Sequence, residues 1–170
     1  MSGIVDEPVV PMGQRSRWTD GILVGLVAAI ISTLTLIIAG ALTGRGLHML
    51  TDVGMAALPS LVRSATGISA ALSYVLSHTL LYLLAGVVFL ALAGLTDRVP
   101  PLAAGLLLVI IIIEFGFLVF TTESQASGRI DEVTWQSLLI AHAVGDVALV
   151  LGIVRVHPSL RQAVVRGFEW

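Results

Sequence analysis

The chain has 170 residues, of which 56% are hydrophobic and only 12% are charged, about half the charged fraction of an ordinary soluble domain. Its mean hydropathy of +0.99 excludes a water-soluble enzyme and a disordered chain. Nine arginines and eleven acids give a net charge of −2 without any lysine or cysteine, which leaves no basic patch for nucleic acid and excludes disulfides and cysteine-ligated metal sites.

Four apolar runs are each long enough to cross a bilayer as a helix, which takes about 20 residues. They cover about 21–42, 69–95, 101–120 and 135–154. Because the runs are continuously apolar rather than alternating, they favour helices over the strands of a barrel. The sequence therefore predicts an all-α, polytopic membrane protein, in which residues 21–155 form a four-transmembrane-helix bundle in the lipid bilayer.

The connection between the first two spans keeps apolar residues at near-helical spacing. They are Leu47, Leu50, Leu58, Leu61 and Val62. This pattern is typical of a short amphipathic helix that lies in the membrane interface. A lid over a site, or a surface for a partner protein, is the alternative interpretation.

The distribution of arginine predicts the orientation in the membrane, because cytoplasmic loops carry an excess of positive charge. Six of the nine arginines lie on the side of the two termini, and three lie on the opposite side. We therefore expect a cytoplasmic N-terminal tail over residues 1–20 and a cytoplasmic C-terminal tail over residues 156–170. The C-terminal tail intersperses apolar residues with arginines, which favours an amphipathic helix on the anionic inner leaflet.

Small residues form stripes along one face of the first and the last span, and such stripes let helix backbones approach closely. The first stripe is Gly21, Gly25, Ala28, Ser32, Thr35 and Ala39; the second is Ala141, Gly145, Ala148 and Gly152. We expect them to pack the helices of the bundle together. A stripe left free would suit another membrane subunit or a homo-oligomer.

Four ionisable residues lie inside the predicted spans, where each costs about 2.5–3.5 kcal/mol at the helix centre. They are His78, Glu114, His142 and Asp146. At the rise of an α-helix they lie about 13, 10, 10 and 16 Å from the outer ends of their spans. This common level on three helices predicts one shared interior site.

The spacing of these residues supports the same conclusion. His142 and Asp146 share a helix face because they are four residues apart. On the second span, Tyr74, His78 and Tyr82 form a stripe of the same kind. We expect both faces to turn inward, with Tyr74 and Tyr82 supporting the site.

Several chemistries fit this set of residues. His78 and His142 match the axial histidine pair of a b-type haem, and all four ionisable residues together match the ligands of a divalent metal ion. Either predicts a small integral membrane subunit of a larger complex with a redox or electron-transfer role. Proton, ion or quinone handling is the alternative, because intramembrane Glu, His and Asp also form relays. A purely structural accessory subunit is a further alternative, and the sequence leaves open whether the protein is an enzyme.

Overall fold

The computed structural model describes residues 17–57, 67–96, 102–157 and 160. The described chain forms five helices, which we label α1 (Arg17–Leu42), α2 (His48–Ala57), α3 (Gly67–Thr96), α4 (Leu102–Ala126) and α5 (Glu132–Val156). No strand occurs in these residues. The predicted all-α class is therefore confirmed for the described part of the chain.

Three of these helices are long and apolar enough to cross a membrane. They are α1 over Trp18–Leu42, α3 over Gly67–Gly94 and α5 over Glu132–Val156. The helix α4 coincides with the third predicted span, and its crossing of the membrane stays a prediction. The N-terminal tail up to residue 16, the C-terminal tail beyond residue 160, and Leu58, Leu61 and Val62 lie outside the described residues.

The helix α1 packs most extensively against α3 and α5. A Cβ on Gly25 would overlap the carbonyl oxygen of Tyr82, and one on Gly21 would come within 2.8 Å of the Cα of Val87. The backbones of α1 and α3 therefore touch at these two glycines. This confirms that the first small-residue stripe packs helices within the bundle.

The second stripe brings α5 against the same helix. A Cβ on Gly152 would meet the side chain of Val24, and one on Gly145 would meet Ser32 and the Tyr82 hydroxyl. Both glycines therefore face the interior, as predicted. The close approach at Gly145 places α5 within hydrogen-bonding distance of α3.

Two apolar clusters flank the polar residues of the bundle. One cluster contains Tyr74 and Ala141, and the other contains Tyr82 and Leu149. His78 lies between the two tyrosines along α3. The polar site is therefore a layer enclosed by hydrophobic packing on both sides.

The helix α2 packs mainly against α3. Its residues Met49 and Val53 are buried in the same cluster as Leu36 of α1 and Leu138 of α5, whereas Leu47 is 64% exposed. The expected helical segment is present, and its buried face belongs to the core. Its position in the membrane interface stays a prediction.

The helix α4 has the sparsest contacts of the long helices. Its inward face consists of buried Thr121 and Ser124 and partly buried Glu114 and Phe117. This face directs one acidic side chain toward α5. The rest of the middle and C-terminal half of α4 exposes large apolar side chains such as Ile112 and Phe115.

Candidate metal centre

Three ionisable side chains from α4 and α5 converge in the bundle, and we call them the Glu114–His142–Asp146 group. The Nε2 of His142 lies 3.4 Å from Oε2 of Glu114 and 3.2 Å from Oδ2 of Asp146. One ligand atom of each residue lies within 4.8 Å of the other two. The structure thus brings together three of the four ionisable residues that the sequence places in the spans.

The three side chains of the group differ in burial, and the two that lie on α5 are the more buried ones. The side chain of His142 is 16% exposed and that of Asp146 is 27% exposed, whereas Glu114 is 44% exposed. The group is therefore anchored on α5 and opens on the side of α4.

The Nε2 atom of His142 is inaccessible and makes no hydrogen bond of acceptable geometry within the described residues, although two carboxylate oxygens are close to it. A buried polar atom without a hydrogen bond costs about 1–3 kcal/mol. Converging carboxylate oxygens also repel each other unless a cation or a proton lies between them. A cation placed between the three side chains would bind the unsatisfied nitrogen and would remove the repulsion between the carboxylates.

Tyr82 connects the group to α3. Its hydroxyl lies 3.0 Å from Oδ1 of Asp146, 3.3 Å from Nδ1 of His142 and 3.3 Å from the His142 carbonyl oxygen. The residue is only 4% exposed. One buried hydroxyl therefore contacts two members of the group, and the supporting role of Tyr82 stays a prediction.

His78 is not a member of the group and contacts Ser32 and Tyr74 instead. Its Nε2 is 3.0 Å from the hydroxyl of Ser32, and its ring stacks on Tyr74 at a centroid distance of 5.0 Å. The ring of Tyr82 lies 4.9 Å from His78 and 6.2 Å from His142. The phenol ring of Tyr82 therefore contacts both imidazoles.

An apolar groove between α4 and α5 leads to the group. Phe117 stacks on the imidazole of His142 at a centroid distance of 3.7 Å. The groove has a volume of about 470 Å³ and is lined by Glu114, Phe115, Phe117, Leu118, Leu139, His142 and Ala143. Apart from Glu114 and His142, every lining residue is apolar, so the groove offers almost no hydrogen-bonding partners away from the group.

A separate ionic cluster joins the α1–α2 turn to the start of α5. Arg45 forms an ion pair with Asp131, donates a hydrogen bond of 2.7 Å to Thr134 and lies 3.9 Å from Asp52. Burial raises the pKa of Asp52, and Arg45 offsets this only in part. Burial would also raise the pKa of Asp131, but its bonds to Thr134 and the charge of Arg45 bring that pKa below its ordinary value.

Two contacts of the site were not predicted from the sequence. The small-residue stripe predicts only a packing role for Ser32, and the pattern of ionisable residues predicts no role for Phe117. The signal for Ser32 is that a hydroxyl interrupts a run of glycine and alanine at the level of His78. For Phe117 the signal is its position three residues after Glu114, on the same face of α4.

Comparison of the chain with protein-family models, with curated proteins and with solved structures finds no match.

Proposed function

We propose that this chain is an integral membrane protein with four spans, α1, α3, α4 and α5, which binds a divalent metal ion at the Glu114–His142–Asp146 group. In this proposal α2 lies at the membrane interface and covers one end of the bundle. The observation that carries the metal site is the inaccessible Nε2 of His142, which lies between two carboxylate oxygens without a hydrogen bond.

The distances in the group support an ion of the size of Zn²⁺. Two ligands bound at about 2.0–2.1 Å in a tetrahedral arrangement lie about 3.3 Å apart. The separations from Nε2 of His142 to Glu114 and to Asp146 are 3.4 and 3.2 Å. The three side chains therefore need little movement to share one ion.

The donor set indicates which ions to test. One imidazole and two carboxylates suit first-row divalent ions such as Zn²⁺, Fe²⁺ and Mn²⁺. Three protein ligands with a fourth position open are typical of catalytic rather than structural zinc sites. We therefore propose an ion that exchanges a further ligand, and a redox role where the ion is iron or manganese.

The geometry favours a compact ion over haem. A haem with His78 and His142 as axial ligands would need to lie against both imidazoles, and the ring of Tyr82 already packs against both of them. In addition, Nε2 of His78 already contacts Ser32. We therefore assign His78 to the support of the site rather than to the coordination shell.

Proton transfer is the second candidate function. Its support is the series of contacts that links His78 to Ser32 and links Tyr82 to Asp146, His142 and Glu114. Such chains are common in intramembrane proton relays. A relay would work without any metal, which separates it from the first proposal.

The deciding experiment is metal analysis of the purified protein in lipid nanodiscs. The protein is treated with a chelator, equilibrated with Zn²⁺ and desalted, and bound zinc is measured against protein. We expect one zinc per chain, and at least tenfold weaker binding in His142→Ala and Asp146→Asn.

The control is Glu123→Gln, which removes an exposed carboxylate of α4 outside the group and should bind zinc like the wild type. Equal zinc binding in the ligand variants and the control would refute the site. A Soret absorption band in the purified protein would instead favour haem. A wild-type protein that binds neither, yet loses proton transport in Glu114→Gln, would favour the relay.

A further inference from the structure

The groove between α4 and α5 combines an apolar wall with an acidic position. Five of its seven lining residues are apolar, and two of those, Phe115 and Phe117, are aromatic. Glu114 is the carboxyl that lines the groove, and its side chain is 44% exposed. Because Phe115 is also 65% exposed, the groove is open to the surroundings of the bundle, which in a membrane are lipid.

The size and the lining of the groove suit a small molecule. Ligand pockets usually have volumes of about 300–1,000 Å³ and are lined mostly by apolar and aromatic side chains with a few polar groups. This groove has a volume of about 470 Å³, and its two polar lining residues, Glu114 and His142, lie 3.4 Å apart. A ligand that fits is therefore apolar over most of its surface and carries one polar centre.

The charge of the lining indicates the sign of that polar centre. Glu114 and Asp146 supply two carboxyls, and both lie next to the imidazole of His142. Within the described residues, neither carboxyl forms an ion pair with an arginine. Acidic groups in excess over basic ones attract a cation, the more so in surroundings of low dielectric constant. The aromatic side chains of the same wall favour the same sign, because ring faces attract cations.

We propose that this groove binds an organic cation, an apolar molecule with one ammonium or phosphonium centre, and that the positive centre lies against Glu114. A neutral or anionic amphiphile would leave the carboxyls without a counter-charge, and a metal ion alone would leave the apolar wall unused. The inference rests on the proposed insertion of the bundle in a membrane but not on a bound metal. Because both would use Glu114, the organic cation and the metal ion exclude each other.

Binding of tetraphenylphosphonium to the metal-free full chain in lipid nanodiscs tests this inference. Equilibrium dialysis measures the bound cation, and empty nanodiscs give the amount that dissolves in the lipid. We expect saturable binding of one cation per chain, which the uncharged triphenylphosphine oxide does not displace. Glu114→Gln should bind the cation at least about tenfold more weakly, because it removes the charge that the cation contacts.

A second variant tests the groove without changing any charge. Ala143 lines the groove and is exposed, so Ala143→Leu fills part of the groove. It should weaken tetraphenylphosphonium binding by a similar factor and leave the affinity for Zn²⁺ unchanged. The matched controls are Ala91→Leu, at an exposed alanine of α3, and Glu123→Gln, at an exposed carboxyl of α4 outside the groove. Both should bind the cation like the wild type.

The measurement on the wild type requires no variant to fold, and the absence of saturable binding there would overturn the inference. Equal affinity in Glu114→Gln and the wild type would also overturn it, as would displacement by triphenylphosphine oxide, since the charge would then play no part. Zinc binding without tetraphenylphosphonium binding would overturn this inference and leave the metal site intact. Tetraphenylphosphonium binding without zinc binding would support the organic cation and refute the metal site.

Discussion

Two tyrosine hydroxyls on one face of α3 have opposite surroundings. Tyr74 and Tyr82 are 5% and 4% exposed. The hydroxyl of Tyr82 makes three polar contacts, whereas that of Tyr74 finds no hydrogen-bond partner among the described residues. We therefore expect the hydroxyls of these two tyrosines, eight positions apart, to contribute to stability with opposite sign.

We predict that Tyr74→Phe raises the free energy of unfolding and that Tyr82→Phe lowers it. Leaving a buried polar group unsatisfied costs about 1–3 kcal/mol, so removing the Tyr74 hydroxyl should recover part of that amount. Removing the Tyr82 hydroxyl should leave Asp146 and His142 short of a partner and cost a similar amount. Reversible unfolding in mixed detergent micelles measures both, and a loss of stability in Tyr74→Phe equal to that in Tyr82→Phe would contradict the assignment.

At the residue scale, the sequence predicts the members of the site better than their contacts. His142 and Asp146 share a face because of helix geometry alone, and the common level of Glu114 follows from the lengths of the spans. The rotation of α3 against α5 depends instead on which side chains meet Gly145, and the small-residue stripe that contains Gly145 does not predict them. For that reason the sequence does not predict that Tyr82, rather than His78, contacts His142.

Close approach of helix backbones determines the arrangement of the elements. Gly25 of α1 lies against the Tyr82 carbonyl, and Gly86 of α3 lies against the carbonyl of Gly21. Because lipid tails give helices little hydrophobic reason to associate, such packing is a main source of helix association in membranes. Bulk added at these contacts should therefore separate the helices.

We predict that Gly25→Leu destabilises the protein by about 1–3 kcal/mol or more, since overpacking alone typically costs that much and the side chain would meet backbone. The control is Val27→Leu on the same helix, where the native side chain is 52% exposed and a larger one has space. Unfolding in mixed micelles and the yield of folded protein measure the difference. Equal behaviour of the two variants would mean that this face does not pack the helices.

The start of α5 depends on a single acidic cap. Asp131 accepts a hydrogen bond of 2.8 Å from the backbone of Thr134 and pairs with Arg45. We predict that Asp131→Ala costs about 0.5–2 kcal/mol. Asp131→Asn, which keeps a good cap but loses the charge, should cost less.

The pH dependence of this contribution follows from the lowered pKa of Asp131. A carboxyl whose pKa is depressed by folding stabilises the protein above its ordinary pKa, and the contribution is lost as the pH falls through the folded value. The difference in stability between wild type and Asp131→Asn should therefore shrink in acid. A difference that grows on acidification, measured by unfolding, would contradict the ion pair.

At the element scale, the sequence predicts the positions of the helices, but it does not predict which face of α2 is buried. Long apolar runs predict α1, α3 and α5 to within a few residues. For the first loop, near-helical spacing correctly predicts a helix, but the expected apolar face includes Leu47, which is exposed, and omits Met49, which is fully buried. The face that α2 buries is determined by its contacts with residues distant in sequence, such as Leu36 of α1, Tyr74 of α3 and Leu138 of α5.

In the molecule as a whole, α4 is the long helix with the fewest contacts to the bundle, and it carries the most exposed member of the Glu114–His142–Asp146 group. It packs sparsely on α3 and α5, and Glu114 is 44% exposed. A metal bound by Glu114 and by two residues of α5 would therefore add a link between α4 and the rest of the bundle. The ion should stabilise the whole fold as well as occupy a site.

We predict that Zn²⁺ raises the stability of the wild type by about 2.7 kcal/mol at 100 times its dissociation constant. Glu114→Gln should be at least as stable as the wild type without metal, because the repulsion between carboxylates is removed, but should gain much less from Zn²⁺. Unfolding in mixed micelles with zinc or with chelator measures this. The same gain in Glu114→Gln as in the wild type would show that the ion does not use α4.

The orientation of the molecule in the membrane determines which compartment the proposed metal site faces. Six of nine arginines lie on the side of the termini, so we expect both termini in the cytoplasm and the α4–α5 turn outside. Because the native chain has no cysteine, a thiol reagent can label only the single cysteine that is introduced into it. Ser127→Cys in that exposed turn should react with an impermeant thiol reagent in intact cells, and Ser159→Cys only after permeabilisation. The reverse pattern would invert the protein and turn the Glu114–His142–Asp146 group toward the cytoplasmic side, so that it would draw its ion from the cytoplasm.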